Sequence, residues 1–318
     1  MKTIKQYVGV DISKDYFDVA LPEENHHSHH QFPNTPKGFK DLFKLLSASS
    51  MVVMEASGSY YLQLAFYLHE KGISVSVINP LVIRRFCQMR MVRAKTDKKD
   101  AQMIAEYGKT EQPAAWEPPK VYILELKQMQ AVSAQLKKQQ SALQRQKEAF
   151  KCSPFVSKVA QRSIDVLLQA NKDEQLHLEK EMLRLIQEHH GQMHQNIQTI
   201  PGIGKKAALL LIAISNGFTK FKTAKQLCSY VGVCPRIYES GKSVKGKAKI
   251  TKMGAGKIRA ILYLCSWSAI KYNKACRELY QRLREKGKPN MVALIAVVNK
   301  LIRQAFAIAT KNKTYVEI

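Results

Sequence analysis

Lys95-Thr96-Asp97-Lys98-Lys99-Asp100-Ala101 places two carboxylates three residues apart, just ahead of an apolar rhythm at Ala101, Met103, Ile104 and Ala105. That rhythm predicts a helix over 97–108, and the i,i+3 spacing puts Asp97 and Asp100 on one helical face. Alone, the pair reads either as a solvated helix start, where the macrodipole favours acids, or as half of a divalent-metal site. The choice depends on whether the chain brings further acids to the same place.

Upstream, it does. Tyr7-Val8-Gly9-Val10-Asp11-Ile12 is a short apolar strand ending on an acid, and Tyr16-Phe17-Asp18-Val19-Ala20-Leu21 is a second strand, close enough to pair with it as a hairpin. Gln31-Phe32-Pro33-Asn34 offers a third strand, weakened by its proline. Pro36 opens a helix predicted to run to Ala48, with Phe39, Leu42, Phe43, Leu45 and Leu46 on one side. Met51-Val52-Val53-Met54-Glu55 is continuously apolar, as a buried strand should be, and it too ends on an acid. A helix from about Tyr60 to Lys71, a strand from Ile73 to Ile78 and a helix from about Leu81 complete the unit before 97–108 closes it. Three strands, then helix, strand, helix, strand and final helix is the order of an RNase-H-like α/β domain. Its acids fall at Asp11, Glu55, Asp97 and Asp100, an all-oxygen set suited to Mg²⁺ or Mn²⁺. Asp15 and Asp18 are spare acids, with Asp18 expected on the outer face of its strand. His26-His27-Ser28-His29-His30 reads as a polar connecting loop rather than a metal tract.

Charge divides the chain unevenly. Residues 1–115 carry 15 Lys/Arg against 12 Asp/Glu and residues 116–195 carry 12 against 9, whereas 196–318 carry 24 against 4. So local an excess calls for a polyanion, by default nucleic acid. No apolar run approaches the roughly 20 residues of a membrane span, so no membrane partner is expected. The six cysteines are scattered without a C-x-x-C pair, which suits a reducing cytosol and offers no zinc site.

The charge steps suggest three segments: 1–115 as the acid-bearing domain, 116–195 as a helical hairpin or coiled coil, and 196–318 as a basic, mostly α-helical domain. In the middle segment Met129, Leu136, Leu143 and Phe150 recur every seven residues, and Cys152-Ser153-Pro154 breaks the run. Its half-polar seam calls for a partner helix, from another subunit or folded back. Thr199-Ile200-Pro201-Gly202-Ile203-Gly204-Lys205-Lys206 then opens an apolar helix after another helix. This is the pattern of a helix-hairpin-helix turn, which presents amides to a phosphate backbone, and it lacks Walker-loop spacing. Between Arg236 and Arg259 lie eight basic residues, one acid and four glycines. Arg236, Lys242, Lys245, Lys247, Lys249, Lys252, Lys257 and Arg259 mark this loop as a phosphate-binding surface, and it also displays the hydroxyls of Tyr238, Ser240, Ser243 and Thr251.

G-V-D-I-S-K, M-E-A-S-G-S-Y, I-N-P, K-T-D-K-K-D-A, P-G-I-G and Y-E-S-G-K-S-V-K-G together resemble the insertion-sequence transposases of the IS one-ten family. The resemblance covers nearly the whole chain, although the central helices match only in character. It implies a DNA recombinase with a resolvase-like DEDD domain, guided by a structured bridge RNA that pairs with donor and target DNA. It further implies that Asp11, Glu55, Asp97 and Asp100 bind Mg²⁺ and that Ser240 is the nucleophile, forming a phosphoserine link to DNA. A homodimer assembling to a homotetramer, with the serine of one subunit completing the metal site of another, and a bacterial cytoplasmic, nucleoid-associated location follow from the same resemblance. No His-Asp pair accompanies Ser240 in the sequence, so metal coordination of the scissile phosphate is the expected activator. Three rival readings stand beside this one: a nuclease of the same fold using metal-activated water, a non-catalytic RNA- or DNA-binding protein, and a tyrosine recombinase using Tyr238, for which the usual Arg/His set is lacking.

Overall fold

Alternating Val8, Val10 and Ile12 bury one side of β1 (Gln6–Ile12), which lies at the centre of a five-stranded sheet in a computed structural model of the chain. The structure describes residues 6–24, 26–92, 96–236, 239–240, 244–245, 249–250 and 254–316; at 236, 239–240, 244–245 and 249 it describes the backbone alone. Two compact units divide at Pro118.

In the first unit β1 pairs antiparallel with β2 (Tyr16–Pro22), and β2 pairs antiparallel with β3 (His27–Pro33). On its other side β1 pairs in parallel with β4 (Ser50–Glu55), and β4 with β5 (Ser74–Ile78), giving the order β3-β2-β1-β4-β5. The helices α1 (Pro36–Lys44) and α2 (Leu62–Glu70) cover one face, with Phe39, Leu42, Leu64 and Leu68 packed on Val8, Val10 and Phe17. On the other, α3 (Pro80–Met89) and α4 (Asp97–Glu111) pack through Ile83 and Ile104 on Met51 and Val53. The last turn before the second unit is stitched to the sheet edge, where Trp116 N donates to Val75 O at 2.7 Å.

Two expectations are corrected. The histidine tract is no loop: His27 to His30 belong to β3, which starts four residues earlier than expected. An edge strand tolerates polar side chains because half its surface is wet, and two of these, His29 and Gln31, have a buried acid to bind. The helix expected to reach Ala48 stops at Lys44, where the hydroxyls of Ser47 and Ser50 take over the local hydrogen bonding.

In the second unit α5 (Val121–Phe150) and α6 (Lys158–Gln198) form an antiparallel hairpin, joined across the seam by Gln140 with Gln175 and by Lys147 with Asp165. The partner for the heptad seam is thus the chain itself, folded back. A non-helical His190 kinks α6, and its ring accepts or donates at 2.7 Å to the Tyr122 hydroxyl. Beyond the hairpin come α7 (Lys205–Ser215) and α8 (Ala224–Val231). The two-residue strands β6 (Pro235–Arg236), β7 (Glu239–Ser240), β8 (Val244–Lys245) and β9 (Lys249–Ile250) pair β6 with β9 and β7 with β8. Last are α9 (Gly256–Tyr272), α10 (Lys274–Glu285) and α11 (Asn290–Lys311). The bases of α5 and α6 share one hydrophobic core with these helices, through Ile123, Leu126, Ile186 and Ile197 against Leu211, Leu262 and Leu301. By length and composition α11 could cross a membrane, yet Val297, Val298, Leu301 and Ile302 are buried in that core, and Lys300 and Arg303 interrupt the helix's apolar run.

The first unit depends on a contact with no spare room. A Cβ on Gly9 would stand 2.1 Å from the Ala101 carbonyl oxygen and 2.3 Å from the Ala105 nitrogen, both backbone atoms of α4. Gly108, a turn further along α4, is also close-packed, though against side chains: a Cβ there would stand 2.7 Å from Val53 and 3.1 Å from Tyr7. Neither neighbour at Gly9 is a flexible side chain that can turn aside, so Gly9→Ala is expected to lower unfolding free energy by at least about 3 kcal/mol. Urea melts of parent and variant check this.

Candidate metal centre and nucleic-acid interface

Residues i and i+2 of a strand face the same way. Since Gly9 faces α4, so does Asp11, one strand step nearer to the first turn of that helix. The parallel register Val10↔Met54 brings the end of β4 level with the end of β1, so Glu55 stands beside Asp11. Thr96 sets where α4 begins: its Oγ1 accepts from Lys99 N and its carbonyl from Asp100 N. Asp97 and Asp100 therefore occupy the first turn, where the positive end of the helix dipole favours carboxylates. Ser57 Oγ donates to Glu55 Oε1 at 2.9 Å and orients it.

Electrostatics confirms that these side chains share one neighbourhood. Burial first, and then the charges of Asp100, Glu55, Asp97 and Asp18 in that order, together push the Asp11 carboxyl up to about 6. A hard divalent cation fits such a donor set: every donor is oxygen, and the like charge already crowding Asp11 is what a cation relieves. Among the described residues no three His, Cys, Asp or Glu side chains lie close enough to hold one ion as they stand, so a shared ion requires side-chain rotation on these backbone positions.

Sequence reading missed one neighbour and misplaced it. Asp18 is 6 % exposed, not on an outer face. It lies directly opposite Asp11 in the β1–β2 register, with His29 Nε2 at 2.7 Å and Gln31 Nε2 at 3.3 Å. A His-Asp pair therefore does exist in the chain, in the acid-bearing unit. The period-2 alternation of β2 contained no signal for it, because Phe17, Asp18, Val19 and Ala20 are all buried, on both faces of the sheet.

The basic residues of the second unit separate by environment. Gly202, at φ +105°, would press a Cβ to 2.7 Å from the Ala269 side chain, so its glycine serves helix packing. Gly204, the N-cap of α7, has open space around it. Lys206 is paired with Glu179 at 2.8 Å, and Arg259 donates to the Val231 carbonyl, whereas Lys205 and Lys257 are exposed. Ser240 lies in β7 with Val244 opposite and Lys245 next to it in β8, whereas Arg236 and Lys249 oppose each other in the separate β6–β9 pair. Lys242, Lys247 and Lys252 lie outside the described residues. Lys127 of α5 and Lys220 after α7 form a further basic pair. Lys220 Nζ sits 4.2 Å from the Tyr230 ring centroid, and desolvation lowers the proton affinity of both amines. Among the described residues neither has a salt-bridge partner.

Asp11 makes stability pH-dependent. In the unfolded chain it ionises near its ordinary 3.8 and in the folded chain near 6, so the folded state holds the extra proton between those values. Stability from this group falls as pH rises through that window and stays lowered above it. Asp11→Asn escapes the loss. In chelator-containing buffer, its melting temperature relative to the parent should rise between pH 4 and pH 7 by about 2–4 °C, for ~1 kcal/mol after solvent screening.

Comparison with known proteins extends over both units. A family model described as "Transposase", for the DEDD domain of IS110 elements, matches residues 8–150. Another, described as "Transposase IS116/IS110/IS902 family", matches residues 194–281. The pilin gene-inverting protein of Moraxella bovis is 28 % identical over 98 % of this chain and 98 % of its own length. The transposase for insertion sequence element IS1111A of Coxiella burnetii is 23 % identical over 99 % of this chain and 92 % of its own. An insertion element IS110 protein of Streptomyces coelicolor is 30 % identical over 37 % of this chain and 29 % of its own. The acid-bearing half and the basic half each match a domain of the same transposases, in the same order, and the chain belongs to the IS110 family of insertion-sequence transposases, DNA recombinases that cut and rejoin DNA.

Proposed function

We propose that this transposase cuts donor and target DNA with a divalent-metal centre at Asp11, Glu55, Asp97 and Asp100 and with Ser240 as nucleophile, under the guidance of a structured bridge RNA. The observation that carries the reading is the shared electrostatic field of the four acids around Asp11. The sheet order β3-β2-β1-β4-β5, antiparallel then parallel, supports an RNase-H-like assignment for the 1–115 segment. In this reading 116–195 is the segment through which two copies associate, and 196–318 holds nucleic acid. Exposed Phe155 and Val159 at the far end of the hairpin suit an association surface.

Mg²⁺ or Mn²⁺ bound by the four carboxylates would supply Lewis-acid stabilisation of the scissile phosphate. The chain's own groups do the rest. The Ser240 hydroxyl gives its proton to solvent and attacks phosphorus; the phosphoserine bond forms as the P–O bond to the DNA breaks, and the departing DNA oxygen takes up a proton to become a free hydroxyl. Reversal with a different DNA hydroxyl rejoins the strand without an external energy source. Lysines of the 236–259 loop hold the phosphate in line and offset developing charge. The family resemblance supports completion of the metal site by Ser240 of another copy, within a dimer that pairs into a tetramer.

Ser240→Ala should bind DNA and RNA like the parent while losing both strand cleavage and the covalent adduct on denaturing gels. Cleavage persisting without the adduct would favour a water-using nuclease, and unaltered cleavage by Asp97→Ala or Glu55→Ala would remove the metal centre from the mechanism. Replacing Lys127 and Lys220 together with Gln should lower the slope of log affinity against log salt for duplex DNA by about 1.8, the loss of two phosphate contacts.

A further inference from the structure

The two registers that meet at β2 set three polar side chains in a row: Asp11 opposite Asp18, and Asp18 opposite Gln31. Directly opposed residues on neighbouring strands project to one face, so all three share the face that carries α4. The next row confirms the side, because Gly9 opposes Ala20, Ala20 opposes His29, and Ala20 packs on Ala101 and Ala105 of that helix. Like charges placed opposite one another in a sheet are unfavourable, and burial makes such a pair costlier still. Asp18 is among the most buried charged groups described, yet it faces the acid with the most crowded surroundings.

Its hydrogen bonds define what it can do. His29 Nε2 lies 2.7 Å from Oδ1, and Gln31 Nε2 lies 3.3 Å from Oδ1 and 3.3 Å from Oδ2. Both oxygens are engaged on the β3 side, away from β1, so the carboxylate is held one strand away from Asp11 and is not turned toward it as a ligand. What reaches the acid cluster from Asp18 is its charge.

We infer that Asp18 is a positioning residue of the acid cluster: a fixed, non-ligating negative charge, clamped by His29 and Gln31, that strengthens divalent-cation binding at Asp11 and its neighbours. This rests on the metal-centre reading above. Cation affinity rises with the number of negative charges around a site, and a unit charge one strand spacing from a dication, at an effective dielectric intermediate between protein and water, changes affinity by about tenfold or more.

Mn²⁺ binding to the full chain, followed by calorimetry or by the spin-resonance signal of free Mn²⁺, tests the inference without reference to activity. Asp18→Asn should weaken Mn²⁺ affinity at least about tenfold, while Asp18→Glu, which keeps the charge, should recover most of it. His29→Phe removes the short hydrogen bond but leaves the charge, and should keep affinity within about threefold of the parent. Melting curves in chelator show how far each variant is destabilised. A merely structural Asp18 would make affinity follow stability, and equal losses in Asp18→Asn and His29→Phe would overturn the inference. So would unchanged Mn²⁺ affinity in Asp18→Asn. Should Asp18→Asn fail to fold, the His29→Phe and Asp18→Glu arms still decide. A parent chain that binds no Mn²⁺ overturns the metal-centre reading together with this one, whereas normal parent binding with an indifferent Asp18 overturns this one alone.

Discussion

Everything in the first unit turns on how closely α4 lies against β1. Backbone meets backbone where Gly9 faces Ala101 and Ala105, and Gly108 lets the helix backbone settle onto the side chains of Val53 and Tyr7. With side chains between them, a helix and a sheet leave carboxylates on the helix a full layer away from carboxylates on the sheet. Removing the side chains from the contact closes that layer. Asp97 and Asp100 on the helix then fall into the same field as Asp11 and Glu55 on the strands. One glycine in β1, set between Val8 and Val10, therefore has a chemical consequence two residues away.

Bringing acids together works against stability, and the fold offsets this with means visible in the same residues. The N-terminal turn of α4 gives Asp97 and Asp100 a favourable dipole, Ser57 donates to Glu55, and His29 with Gln31 satisfies Asp18. None of these removes the strain at Asp11, whose carboxyl remains pushed up. Strain of this kind, left uncompensated in an otherwise well-satisfied unit, is a common mark of a site shaped for a ligand rather than for stability.

The sequence made some of this legible and hid the rest, for identifiable reasons. Apolar strands ending on Asp11 and Glu55, and an i,i+3 acid pair opening a helix, are local patterns, and local patterns were enough for the element order of the first unit and for the positions of its acids. The β3 histidines and Asp18 depend on register, which is set by pairing across the sheet and leaves no trace in a single strand's periodicity. Hydropathy placed His27 to His30 in a loop because it weighs residues one at a time, whereas the cross-strand partner of a histidine decides whether it belongs in a strand. The P-G-I-G turn divides similarly: the motif was plain, but only packing against Ala269 separates the structural Gly202 from the open Gly204. Charge counting located the basic half correctly, yet it could not say that Lys206 and Arg259 are already engaged within the protein.

The core of the second unit has a property that comes from chain order. The helix α11 supplies Val297, Val298, Leu301 and Ile302 to a core whose other walls, from α5 to α9, precede it in the chain. During synthesis those walls emerge first, with a long apolar surface and nothing to cover it. The sheet unit, by contrast, holds all its partners within residues 1–118 and has them in hand well before the ribosome reaches α11. A ribosome that stalls before Asn290 would thus release a finished acid-bearing unit attached to a basic, sticky and incomplete one. In this protein the quality of the second unit is decided only once α11 has been translated, and cellular triage of damaged copies would act on that unit first.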